Sequence, residues 1–202
     1  MKLLLLLLLT LNLFSADKYS VRAAVGVASA SSLGDIISGD FFSNNHGKNL
    51  EVYGLDGGYL LKESAFGWPL DIYVKSGLSY FDESGTGRDD VYEATFYFKA
   101  YYNFNFWENR IRLGIGEGAS YTTGILYVEY EEAAAKNDNN SNILNYLDIS
   151  LDFDLGRLIR YKPMHNTYVG WALKHRSGVF GLINNVEAGG SNYNTIYLEK
   201  NF

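Results

Sequence analysis

"LDISLDFDL" (residues 147–155) decides the fold class. Leu147, Ile149, Leu151, Phe153 and Leu155 take every odd position, while Asp148, Ser150, Asp152 and Asp154 take every even one. Successive side chains of an extended chain point to opposite faces. The stretch therefore has one wholly apolar side and one side of carboxylates and a hydroxyl. A helix would scatter both sets around its axis, so period-2 alternation of this purity predicts a β-strand.

Seven further segments alternate in the same way, at about 19–29, 49–61, 69–81, 92–104, 109–121, 167–177 and 193–202. The phase of the second is the least clear. In the third, Leu70, Ile72, Val74 and Leu78 oppose Asp71, Lys75 and Ser79. In the fourth, Phe96, Phe98 and Phe104 oppose Thr95, Lys99 and Asn103. Arg22, Lys75, Lys99, Arg112, Asp148 and Lys174 all fall on the less apolar side of their strands. Two arrangements satisfy such a pattern. A secreted sandwich or lipocalin-like carrier buries the apolar faces, whereas a membrane barrel turns them to lipid and encloses the charged ones.

Three features favour the membrane barrel. The segments are about 9–13 residues long, enough for a tilted strand to cross the hydrocarbon. The chain ends in TIYLEKNF, with Ile196, Leu198 and Phe202 in one phase, and this terminal aromatic resembles the assembly signal of outer-membrane barrels. The connections after odd-numbered strands are roughly 19, 10, 22 and 15 residues, against roughly 7, 4 and 11 after even-numbered ones, which is the barrel habit of long external loops and short periplasmic turns. The expected architecture is all-β: an eight-stranded antiparallel transmembrane up-and-down β-barrel in the Gram-negative outer membrane. Both termini are then periplasmic, with external loops at 30–48, 82–91, 122–143 and 178–192.

Composition agrees. The opening MKLLLLLLLTLNLFSADKYS has a basic residue, an apolar run from Leu3 to Phe14, then Ser15 and Ala16. About 12 apolar residues are too few to span a bilayer as a helix, so residues 1–16 read as a secretory signal peptide and 17–202 as the barrel domain. The chain has no cysteine, 17 Tyr, 12 Phe and 21 Gly. An exported protein without disulfides must be held by its packing, its hydrogen bonds or a membrane. The net charge of -6 argues against nucleic acid as a partner.

"WALKHRSG" (residues 171–178) departs from the pattern. Val169, Trp171 and Leu173 form the apolar column of the seventh strand, and His175 and Ser177 continue it. Both therefore belong to the outer wall, near the external end of the strand. One explanation is that they have reached the headgroup zone, where polar residues cost little. The other is nucleophilic catalysis, in which an imidazole takes the serine proton and a third group orients the ring.

His175 and Ser177, as H-x-S near the end of the penultimate strand, resemble the PagL-type lipid A 3-O-deacylases. These are outer-membrane acyloxyacyl hydrolases with an eight-stranded barrel and a His–Ser–Glu triad on the lipid-facing wall. The resemblance implies His175 as general base, Ser177 as nucleophile and lipopolysaccharide as substrate, its acyl chain approaching along Trp171 and Leu173. The family's acidic member stands on the last strand, level with the histidine. The outward phase there carries Asn192 and Asn194, and the nearest acid is Glu187 in INNVEAGGSN. Asn192 and Glu187 are both candidates for the third member. The family usually has Asn after the serine; here it is Gly178, so an oxyanion hole would use backbone N–H groups, among them that of Gly178.

Other features are quieter. His46 and His165 lie in a loop and a turn, and three scattered histidines without cysteine make no transition-metal site. The acidic stretches DESGTGRDD (82–90) and NDNNSN (137–142) lack EF-hand spacing. EYEEAAAK (129–136) predicts a short helical turn. Lys174 and Arg176 fit either a lumen network or a rim that attracts lipid A phosphates. No cofactor is expected. The alternative to an esterase is a non-enzymatic barrel, structural or adhesive, that works through its external loops.

Overall fold

A computed structural model describes residues 18–39, 48–187 and 190–202. The expected signal peptide and His46 lie outside these residues. The strands are β1 (Tyr19–Ser29), β2 (Glu51–Lys62), β3 (Leu70–Asp82), β4 (Val91–Phe106), β5 (Asn109–Thr122), β6 (Ile143–Asp154), β7 (Thr167–Ser177) and β8 (Ser191–Asn201). Each pairs antiparallel with the next, and β8 pairs with β1, closing the barrel. Among the described residues, three short α-helices lie outside the sheet: α1 (Leu33–Ile37), α2 (Tyr127–Lys136) and α3 (Leu155–Leu158).

The charged faces line the lumen and are paired there. Arg22 donates to Asp56 and Asp148, each at 2.7 Å. Lys99 reaches Asp148 from the other side. Arg112 grips Asp152 through two hydrogen bonds of 2.9 and 2.8 Å and extends to Glu199, which also takes Lys75. Nearer the outer mouth, Lys174 pairs with Glu93 and Arg176 with Glu129. These bridges join six cations (Arg22, Lys75, Lys99, Arg112, Lys174, Arg176) to six carboxylates (Asp56, Glu93, Glu129, Asp148, Asp152, Glu199). All are buried. Tyrosines fill the space between them, as where Arg112 lies 3.4 Å from the centre of the Tyr168 ring. The lumen is a packed polar core, as expected of a barrel with this few strands. Lys174 and Arg176 belong to it rather than to the rim.

The outer wall is apolar, with Leu55, Leu78, Phe96, Phe98, Ile115 and Ile196 more than half exposed. Aromatic rings mark both membrane boundaries. Tyr53, Tyr80 and Tyr92 neighbour one another at the external end, and Trp68, Tyr102 and Phe104 at the periplasmic end. Such girdles suit rings that are apolar in body and polar at the edge.

Most strand boundaries differ from the sequence expectation by a residue or two, and two strand starts bear on the site. β6 begins at Ile143, ahead of the LDISLDFDL stretch and at the expected end of the third external loop, and β8 begins at Ser191, two residues early. In both cases the neighbouring strand supplies pairing partners: Asn145 meets Ser177 and Asn192 meets His175. The helical turn expected at 129–136 is the ten-residue α2, which starts at Tyr127. Leu126 and Val128 pack with Leu50, Val52, Phe81, Val91 and Tyr193, so α2 covers the outer mouth. Leu126, at the N-cap, offers no side-chain acceptor. The Glu83 carboxylate accepts the Tyr127 N–H instead, at 2.8 and 3.1 Å.

Two predictions follow from this core. Asp148→Ala leaves Arg22 and Lys99 without their shared carboxylate, and should destabilise the barrel by about 3–5 kcal/mol in urea unfolding from lipid vesicles. The second concerns Glu83. Burial pushes its carboxyl up to about 7, against the pull of the Tyr127 N–H and Arg88. The folded chain then keeps a proton that the unfolded chain releases above its ordinary value of 4.5. Its contribution is therefore full below that value and is lost as the pH rises through about 7. The protection factors of the α2 amides, after division by the intrinsic exchange rate at each pH, should fall between pH 5 and 8, and Glu83→Gln should flatten that dependence. Glu129, raised by burial in the same helix, leaves a residual slope.

Candidate active site

His175 and Ser177 face outward because Lys174 and Arg176 face inward. With both cations bound in the lumen, the alternate residues of β7 have only the outer wall to occupy. At the level of His175, the strands line up Phe98, Glu117, Leu147, His175, Asn192 and Ser29 from β4 round to β1. His175 and Asn192 are thus cross-strand partners on adjacent strands. Their side chains meet at 2.7 Å, His175 Nδ1 to Asn192 Oδ1.

The direction of this bond follows from the other end of the amide. Asn192 Nδ2 donates to the Ser31 carbonyl at 3.0 Å, so Oδ1 must be the atom turned to the ring. An amide oxygen only accepts, hence Nδ1 carries the proton and Nε2 keeps its lone pair. That tautomer is the one a general base requires. No hydrogen bond joins the His175 and Ser177 side chains. They share a column two residues apart, within reach by side-chain rotation.

Of the two candidates for the third member, the structure brings Asn192 to the ring and not Glu187. Glu187 is exposed, its backbone N–H donates to Asp138 at 2.8 Å, and its side chain lies beside Gly181. Gly178 follows Ser177 at a point with no room for a side chain, since a Cβ there would stand 2.0 Å from the Val186 carbonyl oxygen. Gly190 closes the other side. A Cβ on it would touch Ser177 Cβ at 3.8 Å and His175 Cε1 at 3.9 Å, and would overlap the Arg176 carbonyl oxygen at 2.8 Å.

Two carboxylates not singled out in the sequence stand on this part of the protein: Glu117 on β5, at the level of His175, and Glu132 on α2. Glu117 was legible: it continues the outward column Ile111, Leu113, Ile115 as a charge, the same kind of break that marks His175. Glu132 is placed by the folding of α2 over the mouth, where its Oε2 accepts the Gly190 N–H at 3.2 Å.

Below the pair runs a lipid-facing groove of about 360 Å³ between β2 and β7, lined by Val25, Val27, Tyr53, Trp171, Asn194 and Ile196. The Trp171 indole N–H donates to Asn194 Oδ1 at 3.1 Å, which stands the ring up as one wall. Leu173, expected to be a lipid contact, is fully covered.

Comparison with solved structures places the fold. The outer-membrane enzyme PagL superposes with a TM-score of 0.59 over 91% of this chain and 99% of its own, at 15% identity. The fold is an outer-membrane barrel. Neisserial surface protein A (NspA) matches with a TM-score of 0.50 over 93% of this chain and 98% of its own, at 11% identity. No protein-family model matches the chain, and no curated protein sequence matches it. Its neighbours are Gram-negative outer-membrane proteins, and a wall that is apolar on every side fits it to that membrane.

The hydrogen bond to Asn192 can be read directly. With three histidines in the chain, ¹⁵N-imidazole spectra should show His175 protonated at Nδ1. Asn192→Ala should shift it towards the Nε2–H tautomer, and Glu187→Ala should leave it unchanged.

Proposed function

We propose that this protein is a serine esterase that removes an ester-linked acyl chain from lipopolysaccharide in the outer leaflet. The observation that carries this reading is the His175–Asn192 bond, which leaves the Nε2 lone pair free on a ring two residues before Ser177 in the same outward column. The H-x-S resemblance to lipid A 3-O-deacylases and the likeness in fold to PagL support it.

In this mechanism the substrate stays in the leaflet, its acyl chain in the groove beside Trp171. Ser177 Oγ attacks the ester carbonyl carbon while its proton passes to His175 Nε2. The tetrahedral oxyanion is held by backbone N–H groups, with that of Gly178 proposed as one donor. As the intermediate collapses, His175 returns the proton to the departing sugar oxygen and the acyl group remains on Ser177. Water, deprotonated by His175, then attacks the acyl carbonyl; the bond to Ser177 Oγ breaks, His175 returns the proton to Oγ, and the fatty acid leaves. Asn192 holds the ring and its tautomer throughout. A neutral amide stabilises the imidazolium less than a carboxylate does, so slower turnover than with an Asp or Glu partner is expected.

The second reading is a non-enzymatic barrel that acts through its external loops. The absence of a His175–Ser177 side-chain bond and the likeness to NspA favour it. Expression in a Gram-negative outer membrane, with mass spectrometry of lipid A, separates the two. The esterase should remove one hydroxyacyl chain. Ser177→Ala and His175→Ala should leave lipid A intact, Asn192→Ala should slow the loss, and Glu187→Ala should not affect it. Unchanged lipid A around a correctly inserted native barrel would leave the second reading standing.

A further inference from the structure

Beyond Ser177 the chain leaves β7 through residues 178–187, and this segment is tightly bonded. Within it, Ile183 N–H donates to Gly178 O at 2.9 Å, Gly181 N–H to Val186 O at 2.9 Å and Val186 N–H to Ile183 O at 3.1 Å. Val186 is buried. One flank is tied to the neighbouring external segment. Asn184 Nδ2 donates to Ser141 Oγ and Ile143 O, Asn139 Nδ2 to Asn185 O, and Glu187 N–H to Asp138 Oδ2. Val179 and Phe180 are held at φ of 51° and 55°, a region that β-branched and aromatic residues rarely adopt.

All this order leaves two large apolar side chains outside. Phe180 is 93% exposed and Leu182 is 82% exposed. A segment this well bonded has turned them outward against the ordinary tendency to bury them. Residues 178–186, GVFGLINNV, carry no charge. The loop is fastened to β6 at Ile143, an outward residue that is itself half exposed. It begins one residue past the end of a strand whose outer column is in lipid. Its apolar tip therefore continues the membrane-facing wall above Ser177.

We infer that residues 179–183 form a membrane lip, with Phe180 and Leu182 inserted at the boundary between headgroups and acyl chains of the outer leaflet. The occupant of this surface is lipid, because the wall with which it is continuous already faces lipid and because the segment is uncharged. The lip sets the depth of the end of β7. Ser177, three residues from Phe180, is thereby fixed at the level where acyl chains meet their headgroups. The inference does not depend on the esterase reading.

The cysteine-free chain permits a direct test. Leu182→Cys and Asn140→Cys are made separately and the folded barrels are reconstituted into phosphatidylcholine vesicles. Both side chains are exposed in the protein, so any difference in reactivity reports on the bilayer. A charged, water-soluble maleimide should modify position 182 several-fold more slowly than position 140. A fluorophore at position 182 should be quenched by nitroxides placed high on the acyl chains, and one at position 140 should not. Equal reaction rates and no quenching at position 182, in barrels shown to be folded by heat-modifiable migration, would overturn the lip. No hydrolysis enters either readout, so failure of the esterase reading and failure of the lip are separate outcomes.

Discussion

The pairing of buried charges in the lumen is the constraint on which the rest of the structure depends. Six cations and six carboxylates cannot be turned to hydrocarbon, and they cannot be left unpaired in a packed interior. Some bridges join neighbouring strands, as Arg22 to Asp56 and Arg112 to Asp152, and others cross the lumen: Arg22 of β1 meets Asp148 of β6, and Lys75 of β3 meets Glu199 of β8. A slip of one residue in any of these strands would exchange its two faces and send a charge into the membrane. The register is thus fixed from inside, and with it the outward direction of every second residue. The position of His175 and Ser177 on the wall is a consequence of where Lys174 and Arg176 must be.

Much of this could be read from the order of residues, because period-2 alternation is a local property. Asp148, Asp152, Lys99 and Arg112 announce an inward face simply by standing between apolar neighbours. The odd phase of His175 and Ser177 was legible in the same way. What could not be read depends on contacts far apart in the chain. In the sequence Asn192 and Glu187 stand nearly level, with Asn192 the better match in position; two more residues of β8 pairing with β7 bring Asn192 opposite His175 and leave Glu187 in a separate fold of loop. α2 looked like a helical turn in a loop, since nothing in EYEEAAAK says that its first residues will lie over Phe81 and Tyr193. Glu117 carried a visible signal, a charge in an apolar column, but its relation to His175 passes through the registers of two strand pairs.

The site's chemistry is shaped by its place on the wall. A histidine with an amide partner carries no net charge, and so can stand beside hydrocarbon at far lower cost than an ion pair. The Trp171–Asn194 bond follows the same logic: an amide that would otherwise face lipid accepts the one polar hydrogen of the ring that covers it. The oxygens of both amides are satisfied within the protein, which leaves the groove beside them apolar.

External loops of a barrel are ordinarily free to drift, since the hydrogen-bonded wall stands without them. Here three of them are bound into the surroundings of His175. Ser31 fixes the amide of Asn192, Glu132 of α2 holds the backbone of Gly190, and the carbonyl of Val186 fills the space a side chain would need at Gly178. The most external segments are therefore the least free to change at these points. Change at the surface has to be accommodated between these points.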